Sequence, residues 1–301
     1  FAAGPGESKF IRFSVTDLGG EADTSVKAIA VNTPDALSVP VLTFAEELNL
    51  PAAVSVLCDD GNSYDLPVVW DTSTYSRFVP GDYTFTGTLG KIINAEGKRV
   101  VPNGQTATLT VTVTGVEVTP IRVACVGDSI TYGDKAEAGE SYPAVLQKLL
   151  GARYEVMNFG VCGATAQSDK SPYVGSTPYT NSLASNPDIV IMMLGTNDSC
   201  SKNDWTAEKE AGFKAKYIAL IDTYAGLESR PKVILATCPK RTDAKAFDDC
   251  IRLKMVPLIK TVAEEKGLSV IDIYDATKDF TRDDYVDALH PNDGGYKKLA
   301  E

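Results

Sequence analysis

The chain has 301 residues, 44% of them hydrophobic and 23% charged, values ordinary for a globular protein, which exclude disorder and fibrous repeats. At roughly 150 residues per domain it is long enough for about two. Acidic residues outnumber basic ones 40 to 29, and a net charge of -11 excludes a nucleic-acid partner. The longest apolar run, residues 189–194, is far short of the roughly 20 residues a membrane-spanning helix needs, so no membrane span is expected. Six cysteines are scattered without CxxC spacing and read as small buried hydrophobes, with one or two disulfides left open. A single histidine, His290, excludes an imidazole-built zinc centre, and no metal is expected. The first residue is Phe1 rather than Met, so the expectation is that a leader or an upstream domain has been removed.

From the N-terminus, residues 9–114 favour β-branched and aromatic residues in short runs divided by turns. Residues 53–57 (AVSVL) lead into the turn Asp60-Gly61-Asn62, residues 67–70 (PVVW) follow, and Pro80-Gly81-Asp82 precedes residues 83–87 (YTFTG). Residues 106–113 alternate threonine with alanine, leucine or valine. Strands at this spacing, with no helix between them, predict a β-sandwich over residues 1–118. The stretch from Leu50 to Val113 also resembles bacterial Ig-like modules, through Leu50-Pro51-Ala52, Asp60-Gly61, Val69-Trp70-Asp71, Pro80-Gly81 and Tyr83-Thr84. That resemblance implies an all-β Ig-like sandwich and a secreted or cell-surface protein, with cell-surface or polysaccharide association through this N-terminal domain.

After Thr119-Pro120 the pattern changes. Residues 123–126, 154–157, 189–194, 233–236 and 270–273 read as strands, and residues 142–150, 213–227 and 245–266 as helices, the first stopped by Gly151. Alternating strands and helices predict an α/β domain over residues 119–301, a parallel sheet with helices on both faces. Sites in such sheets lie at the carboxyl ends of the strands.

Four pieces fall there: Gly127-Asp128-Ser129, Asn158 through Gly163, Gly195-Thr196-Asn197-Asp198, and Asp287-Ala288-Leu289-His290. Singly, each is a common turn or helix cap. Jointly and in this order they resemble the SGNH hydrolases, or GDSL-type esterases, with isoleucine where the second name puts leucine after the serine. The resemblance covers residues 121–301 and implies a flavodoxin-like three-layer sandwich. It further implies a catalytic set of Ser129, Asp287 and His290, and an oxyanion hole made by the Ser129 and Gly163 N–H groups and the Asn197 amide.

The residue chemistry agrees independently. A serine hydroxyl needs an adjacent base, and His290 is the only imidazole in the chain. Asp287, three residues earlier, can hold that ring's tautomer, with Asp283 and Asp284 as fallbacks. The Gly-x-Ser-x-Gly elbow is absent, since Thr131 stands where its second glycine would be, and no GxxxxGK[ST] or GxGxxG phosphate loop occurs. No cofactor is required. The expected reaction is therefore hydrolysis of a short acyl ester through an acyl-enzyme. Polar loops at residues 168–181 and 199–205 carry Tyr173, Tyr179 and Trp205, which suit a sugar or another acylated small molecule, and the resemblance to SGNH hydrolases with attached modules implies an O-acetylated glycan as substrate. Asp128 and Trp205 are the candidate substrate contacts. The alternatives are a lysophospholipase or broad short-chain esterase, and a non-catalytic surface carbohydrate-binding or adhesion protein.

Overall fold

The computed structural model describes residues 25–167, 171–199 and 205–301. The first 24 residues, Cys200 and parts of the two polar loops lie outside them. The chain divides into two compact units between Glu117 and Val118.

The first unit holds β1 (Val26–Val31), β2 (Leu37–Pro40), β3 (Ala53–Cys58), β4 (Ser63–Asp71), β5 (Gly81–Leu89), β6 (Ile92–Ile93), β7 (Arg99–Val101) and β8 (Thr106–Thr114), with one short 3-10 turn at Ala45–Glu47. In β8 the alternating pattern does what it predicts: Ala107, Leu109, Val111 and Val113 are buried while the threonines stand on the other face. The unit is all-β, but its strands form one mixed hydrogen-bonded ladder, β2-β8-β5-β4-β3-β1-β7-β6, rather than two separately paired sheets. Strand β4 changes partner in mid-course. Ser63 to Pro67 pair with β3 and Val68 to Asp71 with β5, the change falling beside a proline that has no N–H to extend the first ladder. Strand β1 also changes partner: Val26 and Lys27 pair with β7 and Ala28 to Val31 with β3, this second ladder being irregular between Ala28 and Ala30. Two cores result, one around Val54, Val56, Leu66 and Val100 and a smaller one around Leu48, Phe85 and Val111.

The second unit runs β9 (Ile121–Gly127), α1 (Ser129–Tyr132), α2 (Tyr142–Leu150), β10 (Tyr154–Gly160), α3 (Thr177–Ala184), β11 (Ile189–Met193), α4 (Ala207–Ala225) and β12 (Lys232–Ala236). It continues with α5 (Lys245–Cys250), a π-helical turn (Ile251–Met255), α6 (Val256–Lys266), β13 (Ser269–Ile271), α7 (Ile273–Ala276), a 3-10 turn (Arg282–Asp284) and α8 (Asp293–Ala300). All four strand pairings are parallel, in the order β10-β9-β11-β12-β13. Successive strand residues feed opposite faces. Ala124, Val126, Val190, Met192, Val233 and Leu235 pack with Phe213, Tyr217 and Ile221 of α4 and Ile259 and Val262 of α6. Val123, Cys125, Met193 and Ala236 pack with Tyr142 of α2 and Tyr296 and Leu299 of α8. Both faces of the sheet are thus covered, which is why its strands read as near-continuous apolar runs.

Strand β13 is shorter than its apolar run predicts. Asp272 leaves the ladder to cap α7, accepting the Asp275 N–H, and so draws Ile273 into the helix. Helix 245–266 is continuous as expected, apart from the π turn. Cys58, Cys125 and Cys238 are buried free thiols, Cys162 is exposed, and Cys250 is disulfide-bonded.

Candidate active site

In the second unit the chain passes from β9 to β10 on one side and then to β11 on the other. The crevice at this reversal, beyond the carboxyl ends of β9 and β11, is where open parallel sheets place their ligands. Ser129 follows β9, Gly163 follows β10 and Asn197 follows β11, so three of the four sequence blocks leave adjacent strands at the same edge.

Ser129 is the first residue of α1. Asp128 caps this helix, its Oδ1 accepting the Ile130 N–H at 2.9 Å. Gly127 must be glycine, because a Cβ there would meet the Met193 carbonyl oxygen at 2.5 Å as well as the Thr131 hydroxyl. The loop after β10 is knit to this corner in three places. The Val161 N–H donates to the Gly127 carbonyl at 3.0 Å, and Asn197 Nδ2 donates to the Ala164 carbonyl at 2.9 Å. The Asp198 carboxylate accepts the Ala166 and Gln167 N–H groups at 2.9 and 2.8 Å. Gly163, at φ +75° with open space around its α-carbon, sits within this clamped loop.

His290 arrives from a turn between the last 3-10 turn and α8. The Thr242 N–H and hydroxyl both donate to the Ala288 carbonyl, at 3.0 and 3.1 Å, and the Tyr285 hydroxyl donates to the Lys240 carbonyl. Ala288 itself adopts a left-handed φ of +71°, unusual for a residue with a Cβ. The turn brings His290 Nε2 to 2.9 Å from Ser129 Oγ, and His290 Nδ1 to 2.8 Å from Asp287 Oδ2. Asp287 Oδ1 also accepts the His290 and Leu289 N–H groups at 2.8 and 3.2 Å. An ionised carboxylate only accepts, so the Nδ1 hydrogen belongs on the Asp287 side and Nε2 is left to receive the serine proton. Burial by itself would raise the Asp287 carboxyl, but the His290 N–H, the imidazole and the Leu289 N–H outweigh it and hold its pKa at about 2.

Of the two fallback acids, Asp284 has its carboxylate engaged elsewhere. Asp284 caps the 3-10 turn and pairs with Lys298 at 2.6 Å, and Asp283 belongs to the same turn, its carbonyl accepting Asn292 Nδ2. Both candidate substrate contacts are packed against protein. Asp128 is fully buried beneath α1, where its carboxylate meets no solvent. Trp205 is half-buried against Phe213, with ring centroids 6.2 Å apart, and its indole N–H donates to Glu210 at 3.2 Å. Tyr173, expected at the pocket edge, is fully buried with its hydroxyl on the Phe159 carbonyl, and Tyr179 packs edge-on against it. Two residues near the site had no assigned role in the sequence. One is Asp198, legible only as part of Gly-x-Asn-Asp. The other is Asp134, whose Oδ2 lies 3.6 Å from His290 Nε2 and for which the sequence carries no signal.

Burial pushes the Asp128 carboxyl up to about 6, more than the Ile130 N–H and the Thr196 hydroxyl pull it down. Its second oxygen and the Thr196 hydroxyl are both buried without a full hydrogen bond. Because the folded pKa lies above the ordinary 3.8, folded stability should fall as pH rises from about 4 to about 6, by on the order of 3 kcal/mol. Asp128→Asn keeps the cap and removes the buried charge. Its melting temperature should gain on wild type between pH 4 and pH 8; parallel curves would contradict the assignment.

Residues 125–298 match the model of the GDSL-like lipase/acylhydrolase family, more than half of the chain. The chain belongs to that family. Ahead of the GDSL-like domain, residues 35–92 match the bacterial Ig-like domain (group 4). An acetylxylan esterase of Xylanibacter ruminicola is 34% identical over 200 residues, 60% of this chain. The matched part spans 42% of that relative's length. Among solved structures, a lipase/acylhydrolase from Enterococcus faecalis is 25% identical with a TM-score of 0.48, covering 60% of this chain and 91% of its own. Est24, a carbohydrate acetylesterase from Sinorhizobium meliloti, is 23% identical with a TM-score of 0.47, covering 60% and 94%.

Proposed function

We propose that this GDSL-like chain is a serine esterase that removes short acyl groups, acetyl foremost, from carbohydrate. The observation that carries the reading is the unbroken Ser129–His290–Asp287 chain, at 2.9 and 2.8 Å, in the crevice of a parallel sheet. Ser129 attacks the ester carbonyl as its proton passes to His290 Nε2, and Asp287 stabilises the imidazolium through Nδ1. The Ser129 and Gly163 N–H groups and the Asn197 amide receive the oxyanion. His290 then returns the proton to the departing alcohol, and water repeats the steps on the acyl-enzyme. The sugar part of the reading rests on the acetylxylan esterase relative. The strand order and the helices on both faces support the flavodoxin-like three-layer description of the domain.

In this reading the catalytic domain spans residues 119–301, and the β-rich domain of residues 1–118 takes no part in the chemistry. A secreted or surface-attached setting is supported by the Ig-like match and the disulfide at Cys250. Among the described residues no helix is long and apolar enough to cross a membrane.

The test is acetate release from acetylated xylan and other acetylated glycans, set against lysophospholipid cleavage. Acetate release that disappears in Ser129→Ala is expected, and a preference for the lipid would overturn the carbohydrate reading. Asn197→Ala should lower kcat roughly 100- to 1,000-fold with a smaller change in KM, the usual cost of one oxyanion donor. An unchanged kcat would remove Asn197 from the hole.

A further inference from the structure

His290 Nε2 faces two groups. Ser129 Oγ is 2.9 Å away, and Asp134 Oδ2 is 3.6 Å away. Asp134 is held there by its backbone. Its N–H donates to the Ser129 carbonyl at 2.9 Å, its own carbonyl accepts the Tyr296 hydroxyl at 2.8 Å, and Gly133 just before it turns the chain at φ +89°. The other carboxylate oxygen, Oδ1, is 3.7 Å from Lys135 Nζ. One oxygen is therefore turned toward a cation and the other toward the reacting edge of the imidazole.

Resting on the proposed esterase reading, we infer that Asp134 selects the leaving group, accepting a hydrogen bond from a hydroxyl on the carbon next to the esterified one. In acyl transfer the departing oxygen takes its proton from His290 Nε2, and so must come within about 3 Å of that atom. Asp134 Oδ2 lies beside that position. As a carboxylate it can only accept, so a bare alkyl or aryl alcohol offers it nothing, whereas a sugar or polyol with a free neighbouring hydroxyl offers a donor. A leaving group carrying a phosphate is repelled by the same charge. The ligand class is accordingly a partly acylated polyol whose adjacent hydroxyl is unsubstituted. A carboxylate acting only on the imidazolium would help every ester equally, and that is the competing account.

The experiment measures kcat/KM for a mono-acetylated methyl xyloside with a free neighbouring hydroxyl, for its analogue with that hydroxyl replaced by hydrogen, and for p-nitrophenyl acetate. Wild type and Asp134→Asn are compared, with Asp134→Ala as the second variant. Both retain the backbone bonds that shape the turn. The ratio of hydroxyl-bearing to deoxy ester should fall roughly 10- to 100-fold in Asp134→Ala, the usual range for losing a hydrogen bond to a charged group, and by less in Asp134→Asn, whose amide oxygen still accepts. A ratio in Asp134→Ala that stays within about 2-fold of wild type, whatever happens to the absolute rates, overturns the inference. A wild type that cleaves p-nitrophenyl acetate but neither xyloside refutes the carbohydrate reading, and this inference with it. Cleavage of both xylosides with an unaltered ratio refutes this inference alone.

Discussion

Replacing Ser129 by alanine should lower kcat toward p-nitrophenyl acetate by about a hundred-thousand-fold to a million-fold, the range expected when a triad nucleophile is removed. The geometry gives the reason. Ser129 Oγ is 2.9 Å from the one imidazole in the chain, and without it the base has no nucleophile to activate. His290→Ala should cost a similar factor, and the double variant should be no worse than either single one, because hydroxyl and ring act as one unit. Single-turnover kinetics on folded protein, with melting temperatures checked first, would measure this. A Ser129→Ala protein turning over within tenfold of wild type would remove Ser129 as the nucleophile.

Asp287→Asn should lower kcat by roughly 10,000-fold. The amide can turn an NH2 toward Nδ1, which favours the tautomer with hydrogen on Nε2, and that nitrogen can then no longer accept the Ser129 proton. Retention of more than a tenth of the wild-type rate would mean that another group orients the ring. A second readout follows from the low Asp287 pKa of about 2. Its contribution to folded stability is in place above about pH 4 and is lost as pH falls toward 2. Any stability gap between wild type and Asp287→Asn should therefore narrow as pH falls from about 4 toward 2. A gap that opened in acid would have the wrong sign.

Much of this was legible in the sequence, because the signals were periodic or came in blocks. The Thr-alternating run of β8 and the apolar run of β11 each carry their burial pattern in residue order. Ser129, Gly163, Asn197 and His290 stand at strand ends or in loops of a kind that composition can mark. Side-chain direction could not be read in the same way. Tyr173 sits in a polar stretch yet points into the core, and Trp205 found a hydrogen-bond partner five residues along its own chain. Asp128 reads like any loop acid until α1 closes over it. Asp134 reaches His290 only because a left-handed glycine folds the chain back after one helical turn, and a distance between residues 134 and 290 leaves no local trace.

The two ends of the Ser129–His290 contact are supported unequally. Ser129 follows the inner strand β9, which is in register with β10 on one side through Gly127↔Gly160 and with β11 on the other through Gly127↔Met193. His290 hangs from a turn fastened at Ala288 and Tyr285 by a few bonds around a left-handed alanine. Moving the first means breaking two ladders, while moving the second means releasing one loop. Warming should therefore silence the protein by fraying at the imidazole well before the sheet melts, and cooling should restore it without refolding.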